Sequence, residues 1–120
     1  MKKNKLEDIE DQNEKDILTR MPHENEVTEV SNAMKQLGDP SRLRIFWLLC
    51  HCEECVANIA SLVDMTSPAV SHHLRLLKAG KLLSCRRNGK EMYYKAADNE
   101  IAKILHHTIE HVAKITCPVE

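Results

Sequence analysis

The chain has 120 residues, among them one Trp, two Tyr and one Phe, which is the size of a single small domain. No apolar run approaches the roughly 20 residues that span a bilayer, so the sequence predicts no membrane partner. The N-terminus lacks the apolar core of a signal peptide, which predicts a cytoplasmic protein. Its five cysteines are therefore expected to be reduced, and their odd number argues against a purely structural disulfide set.

The predicted elements begin with a polar, net acidic segment over residues 1–25, which is expected to be a partly disordered arm or a marginal helix. From residue 26, apolar residues recur at steps of three and four, which predicts an amphipathic helix that ends at Gly38. The apolar positions of this first helix are Val27, Val30, Met34 and Leu37.

Two signals that contain proline predict where the next long helices begin. Asp39 precedes Pro40 and Ser67 precedes Pro68, and a capping side chain before proline is typical of a helix N-terminus. Gly80 ends the second of these helices, and a short apolar helix lies between the two.

Residues 81–84 and 92–94 are strand-like, and Asn88-Gly89 between them is the strongest short signal for a hairpin. Asp98 is the predicted cap of a final helix with one apolar side. The order predicts a mostly α fold, a winged helix-turn-helix of about five helices with a β-hairpin wing. This domain is predicted over residues 26–116, followed by a tail over 117–120.

The near-neutral net charge of −1 conceals two unlike parts. Residues 65–95 carry seven Lys and Arg against one Glu, a net +6, whereas the rest of the chain carries 10 against 17. Because the excess lies on one helix and on the hairpin tip, we expect it to contact double-stranded DNA. Small polar side chains on the helix suit base edges, and cations on the wing suit the backbone or minor groove. The candidate DNA-binding residues are Ser67, Ala69, Ser71, His72 and Arg75 on the helix, and Arg86, Arg87 and Lys90 on the wing.

Three stretches resemble the ArsR/SmtB family of metalloregulators: residues 37–45 (LGDPSRLRI), 67–77 (SPAVSHHLRLL) and 80–94, which includes GKLL and RNGKEMYY. The resemblance covers roughly residues 27–115. It implies a homodimeric repressor that pairs through its first and last helices and binds an operator near its own promoter. It further implies that an inducer, usually a metal ion, lowers the affinity for DNA.

One family inducer site contains a Cys-Val-Cys motif at the end of the second helix. Cys55 matches its first cysteine, Ala57 replaces the second, and Cys50 and Cys52 lie close enough in sequence to compensate. Three thiolates suit soft ions such as Cd(II), Pb(II), Zn(II) or As(III). The alternative is that Cys50 is not a metal ligand but packs in the core as a small apolar residue.

A second family site lies on the last helix, where zinc sensors have an Asp-x-His pair followed by two further ligands. Glu100 stands for the histidine of that pair and can bind zinc through oxygen, whereas Lys114 replaces a ligand with a cation. Glu110 points about 100° away from His111 around the helix. The alternative is a solvated, histidine-rich helix face, and both metal sites can coexist. The candidate ligands here are Asp98, Glu100, His107 and His111, with zinc or cadmium as the first expected inducer and lead or arsenite as alternatives.

A third interpretation uses thiols as redox sensors. Cys50 and Cys117, which is followed by Pro118, resemble a cysteine pair with which some relatives sense persulfide or oxidant. Each lies about one turn beyond the family position, and a disulfide needs Cα atoms within roughly 7 Å.

The sequence has no nucleophile elbow, no phosphate-binding glycine loop and no HExxH motif, so an enzyme is not predicted. The competing class is a winged helix used for protein contact without DNA binding. Steep loss of duplex affinity with salt distinguishes a DNA-binding protein from such a module.

Overall fold

The computed structural model describes residues 5–115 and confirms the mostly helical winged helix-turn-helix, with six helices and one three-stranded antiparallel sheet in that range. In the described part of the chain, no helix is long and apolar enough to cross a membrane. The elements are α1 (Lys5–Thr19), α2 (Glu24–Gln36), α3 (Pro40–Leu49), β1 (Glu54–Cys55), α4 (Val56–Val63), α5 (Ser67–Ala79), β2 (Leu83–Asn88), β3 (Glu91–Ala96) and α6 (Glu100–Ala113).

Helix α1 lies inside the N-terminal segment for which the sequence leaves open a disordered arm or a marginal helix. Its sequence contains three Glu, two Lys and two Leu, and these side chains lose little freedom in a helix. An ion pair between Asp16 and Arg20, with atoms 3.0 Å apart, follows the i,i+4 spacing that supports an isolated helix. Local propensity therefore accounts for this helix, since the arm has no strong apolar stripe.

The starts of α3, α5 and α6 agree with the sequence signals to within one residue, whereas α2 begins two residues earlier than predicted. Asp39 caps α3 as predicted, because its side chain accepts a hydrogen bond from the backbone N–H of Arg42 at 2.9 Å. The predicted caps Ser67 and Asp98 are each displaced by one position. The N-cap of α5 is Thr66, and the N-cap of α6 is Asn99.

The predicted hairpin forms, and its strands are longer than expected. Asn88 pairs with Glu91 at its tip, and Gly89 has a φ of 68°, a conformation that glycine adopts without steric cost. The two-residue strand β1 was not predicted, because it is too short to show a period of two. It adds to the other edge of β3, so that the strand order is β1-β3-β2.

The core lies between α3, α4, α5 and the start of β2. Its largest fully buried side chains include Phe46 and Ile45 of α3, Ile59 of α4 and Leu74 of α5. Helices α2 and α6 contribute little to this core and have exposed apolar side chains. These are Val27, Val30 and Met34 on α2, and Ile104 and Val112 on α6.

Asn99 fastens the start of α6 in two ways, since its Oδ1 accepts from the N–H of Ala102 and its Nδ2 donates to the carbonyl of Lys81, both at 2.9 Å. We expect Asn99→Ala to lower the free energy of unfolding by about 1–2 kcal/mol, because it removes both a cap and a hydrogen bond. Asn99→Asp keeps the cap acceptor and should lie between Ala and wild type. Urea denaturation at fixed protein concentration measures this, and equal midpoints for all three proteins would contradict it.

Candidate nucleic-acid interface and metal centre

Helix α5 presents the predicted DNA-reading face to solvent. Val70, Leu74 and Leu77 bury its inner side. Arg75 donates to Nδ1 of His72 at 3.3 Å, which holds the guanidinium beside the imidazole on the outer side. The predicted outer residues Ser67, Ser71, His72 and Arg75 are exposed, and Ala69 is half-buried.

The inner edge of α5 is joined to the start of α3 through His73. The Arg42 guanidinium donates to Nδ1 of His73 at 3.4 Å, and Asp39 lies 3.9 Å from the same nitrogen. Burial lowers the pKa of His73 below its ordinary value, and this outweighs the opposite effect of the Asp39 carboxylate. The pKa of Asp39 is also lowered, mainly by the hydrogen bond that it accepts from the backbone of Arg42.

The wing has two exposed cations at its tip, Arg87 and Lys90, as the sequence predicts. Arg86 is also exposed, but it forms a two-pronged pair with the Glu53 carboxylate, at 2.8 and 2.9 Å, and lies 5.4 Å from the Tyr93 ring centroid. This pairing lowers the pKa of Glu53. A phosphate contact by Arg86 therefore competes with Glu53, whereas Arg87 and Lys90 form no such ion pair within the described residues.

The wing and α5 form one continuous surface. Lys78 of α5 donates to the Cys85 sulfur of β2 at 3.1 Å, and this hydrogen bond raises the pKa of Lys78. The helix and the hairpin are thus positioned to contact one DNA duplex together.

The cysteine segment, residues 50–55, bridges α3 and α4. Cys50 is the C-cap of α3, Cys52 donates to the carbonyl of Leu48 at 3.4 Å, and Cys55 is the buried N-cap of α4. Burial raises the pKa of the Cys52 thiol, and Glu54 adds to that effect. Among the described residues, the structure does not bring these three sulfurs into one group with mutual distances within 4.8 Å. Cys117, the predicted redox partner of Cys50, lies outside the described residues.

The ligand set predicted on the last helix lies on the solvent side of α6. The Asp98 carboxylate pairs with Lys103 at 3.0 Å, and the rings of His107 and His111 stack with centroids 6.1 Å apart. Within the described part of one protomer these residues do not gather into a three-ligand group. We call Asp98, Glu100, His107 and His111 the outer α6 set; all four are exposed.

A different set of ligands converges on the inner side of α6. Nε2 of His51 lies 3.1 Å from Oε2 of Glu110, and Nε2 of His106 lies 3.0 Å from the same oxygen. The two imidazole nitrogens are 3.1 Å apart. No other three-ligand group of His, Cys, Asp and Glu occurs in the described range. We call His51, His106 and Glu110 the α3–α6 triad.

The triad is largely shielded from water. The side chains of His51 and Glu110 are only 11% and 12% exposed, and that of His106 is 23% exposed. The indole N–H of Trp47 donates to Oε2 of Glu110 at 3.0 Å, and the Trp47 ring lies beside His51 with centroids 4.6 Å apart. Two nitrogens and one oxygen in a half-buried cluster are a donor set that suits zinc and similar divalent ions.

Sequence reasoning missed this triad, because it sought ligands on the same helix face as His111. Glu110 lies about 100° from His111 around the helix, and this angle turns it toward His51 at the end of α3. The local signal that could have found part of the triad is His106-x-x-x-Glu110, an i,i+4 pair of ligand side chains. His51 lies 59 residues from Glu110, and the sequence alone contains no sign of that contact.

Comparison with known proteins places the chain among bacterial transcription regulators. Residues 39–82 match the family model described as "Bacterial regulatory protein, arsR family". The chain is 33% identical over 88 residues to a "Transcriptional repressor SmtB homolog" of Synechocystis sp., covering 73% of this chain and 67% of that protein. It is 30% identical over 88 residues to a "Cadmium resistance transcriptional regulatory protein CadC homolog" of Staphylococcus aureus, covering 72% and 73%. The solution structure of a homodimeric winged helix-turn-helix DNA-binding domain from Mycobacterium bovis matches with a TM-score of 0.68 and 30% identity, covering 78% of this chain and 91% of that one.

The pairing of Arg86 with Glu53 predicts different roles for the two wing arginines. We expect Arg87→Gln to reduce the salt dependence of DNA binding by about 0.9 in log–log slope, the loss of one phosphate contact. Arg86→Gln should alter the slope because it leaves the Glu53 carboxylate without its cation. Adding Glu53→Gln should therefore restore the wild-type slope in the Arg86→Gln background. In the Arg87→Gln background the slope should stay reduced, because Glu53 pairs with Arg86. Fluorescence anisotropy on a labelled duplex across a salt series measures the slopes, and an unrestored Arg86 double variant would identify Arg86 as a phosphate contact.

The lowered pKa of His73 predicts a pH-dependent stability. Because the folded pKa lies below 6.5, the unfolded chain binds more protons in the interval between the two values. The contribution of His73 to stability is therefore complete above about pH 6.5 and decreases as the pH falls toward the folded pKa. Urea denaturation between pH 7.5 and 5 should show a shallower pH dependence for His73→Gln than for wild type. His107→Gln, on the exposed side of α6, is the matched control and should retain the wild-type dependence.

Proposed function

Because the chain belongs to the ArsR family of DNA-binding, homodimeric transcriptional repressors, which are not enzymes, we propose that it releases its operator when a metal ion of the zinc, cadmium or lead type binds. The observation that carries this proposal is the junction between α3 and α6. Ligand side chains are concentrated at this junction, which connects the DNA-binding unit to the helix with the exposed apolar face.

For DNA, we assign base contacts to the outer face of α5 and backbone contacts to the wing. Ser71 and His72 are exposed in the first two turns of α5, the part of a recognition helix that enters the major groove. Both side chains can donate or accept hydrogen bonds, as base edges require. Arg75, Arg87 and Lys90 are exposed cations suited to phosphate.

For the dimer, we assign the interface to α2 and α6. Val30 and Met34 of α2 line a largely apolar groove together with Ile101, Ile104 and Leu105 of α6. Such a groove on one protomer is what a two-fold partner would cover, and burying it supplies apolar contacts that the small core lacks. Two recognition helices in a two-fold dimer read half-sites about one helical turn of DNA apart.

For the inducer, the support comes from the donor sets and from the relatives, whose names include a cadmium resistance regulator. We propose that the ion binds more tightly to the arrangement of the dimer that has the lower affinity for DNA. The ion then weakens DNA binding by the same factor by which DNA weakens metal binding. The cysteine segment, the outer α6 set and the α3–α6 triad are the three candidate sites within one chain.

The test measures operator affinity by fluorescence anisotropy on a duplex from the DNA upstream of the protein's own coding sequence. We expect Zn(II) or Cd(II) to weaken binding by about 5- to 150-fold, the usual range of allosteric coupling, and EDTA to restore it. Polysulfide in place of metal tests the thiol-sensing alternative.

The same assay tests the assigned DNA surface. Arg75→Ala should weaken binding to every duplex, whereas Ser71→Ala should weaken the operator more than an unrelated duplex. Lys103→Ala, on α6, where the side chain pairs with Asp98, is the control. Negligible duplex binding by wild type at low salt would favour the protein-contact module instead, and an unchanged operator affinity with every ion would contradict metal control.

A further inference from the structure

We propose that the α3–α6 triad of His51, His106 and Glu110 is a binding site for one zinc-class divalent cation in each protomer. We further propose that this is the site through which metal acts on DNA binding, and this second part rests on the proposed function. The binding of the ion itself does not depend on it.

The spacing of the three ligand atoms is already close to that around a small ion. Their three separations are 3.0, 3.1 and 3.1 Å. Ligands held at about 2.0–2.1 Å from a tetrahedral zinc ion lie about 3.3 Å from one another. The ligand atoms therefore need to separate by only a few tenths of an ångström, which small side-chain rotations supply.

The surroundings of the triad also suit a metal centre. Metal ligands are commonly oriented by outer hydrogen bonds, and the Trp47 indole N–H supplies one to the ligand oxygen of Glu110. The three ligand side chains are half-buried, so water competes weakly with them for the ion. Glu110 supplies one negative charge against the two charges of the cation, and two imidazoles supply neutral donors.

The chemistry of the donors selects the class of ion. Two imidazole nitrogens and one carboxylate oxygen suit Zn(II), Co(II) or Ni(II), whereas As(III) and Pb(II) favour thiolates. This distinguishes the triad from the cysteine segment, whose thiol donors suit As(III) and Pb(II). Three protein ligands leave at least one further coordination position for water.

The position of the triad explains how an ion there would act. His51 follows the C-cap of α3, whereas His106 and Glu110 are one turn apart on α6, so an ion ties the end of α3 to α6. The other end of α3 contacts the recognition helix through Arg42 and His73. A cation at one end of α3 therefore acts on the angle between the DNA-reading helices and the proposed dimer helix.

The first experiment measures metal binding alone. The full-length protein, stripped with EDTA and kept reduced, is titrated with Zn(II) by calorimetry and with Co(II) by visible absorption. We expect one ion per protomer, a Co(II) spectrum without the near-ultraviolet thiolate charge-transfer band, and a change in the fluorescence of Trp47, the only tryptophan of the chain.

The variants test the assignment of each group. His106→Gln and Glu110→Gln should each weaken Zn(II) binding more than tenfold, since even loss of an outer partner of a metal ligand costs 10- to 100-fold. Trp47→Phe should weaken it less than loss of a ligand. The controls are His107→Gln with His111→Gln on the outer face of the same helix, and Cys50, Cys52 and Cys55 changed together to Ser. Both controls should bind Zn(II) within about threefold of wild type.

Glu110→Gln keeps an oxygen that can accept the Trp47 N–H, and circular dichroism with size-exclusion chromatography verifies that this variant folds and dimerises. Unchanged Zn(II) affinity in His106→Gln and Glu110→Gln would overturn the site. Loss of the ion from the cysteine variant alone would assign it to the thiolates instead and would also overturn the site.

The second experiment separates the site from the proposed function. Zn(II) should lower operator affinity in wild type and in both controls, and the response should disappear in Glu110→Gln. If the triad variants lose Zn(II) binding but wild type holds its operator equally with and without the ion, the site stands and metal control fails. If operator release persists in the triad variants, metal control stands and the triad is not the sensor.

Discussion

The contacts of the Glu110 carboxylate with the end of α3 determine how α6 is placed against the DNA-binding helices. Oε2 of Glu110 accepts a hydrogen bond from the indole N–H of Trp47 and forms polar contacts with Nε2 of His51 and of His106, all between 3.0 and 3.1 Å. A carboxylate that is 12% exposed is costly unless donors surround it, so these three contacts hold α6 against the end of α3. An ion at this point replaces hydrogen bonds with coordination bonds between the same two helices.

The excess positive charge of the molecule is concentrated on the surface formed by α5 and the wing. The exposed cations of α5 and the wing tip are presented by a chain that is otherwise acidic, and Glu53 neutralises Arg86 along strand β2. The pair fixes the wing beside the segment that precedes α4. Because Arg86 is 54% exposed, this contact is worth little energy in water, and its effect is on where the hairpin tip lies.

The parts of the fold that sequence predicts well are those determined by neighbours in the chain. Asp39 before Pro40 gives the start of α3, and Asn88-Gly89 gives the hairpin, because capping and turn formation involve only a few consecutive residues. Periodicity predicts one apolar side for the last helix, but it does not predict that His106 and Glu110 face the end of α3. Periodicity cannot say that a polar pair is satisfied by His51 from another helix, because that depends on tertiary packing.

Helix α3 contacts the triad at one end and the DNA-reading helix α5 at the other, and this arrangement imposes a thermodynamic condition. If an ion at the triad and DNA at α5 both act through α3, each must change the affinity of the other by one common factor. The reciprocity holds whichever ligand binds first, so an ion at the triad that weakens DNA binding is itself bound more weakly, by the same factor, when the operator is bound.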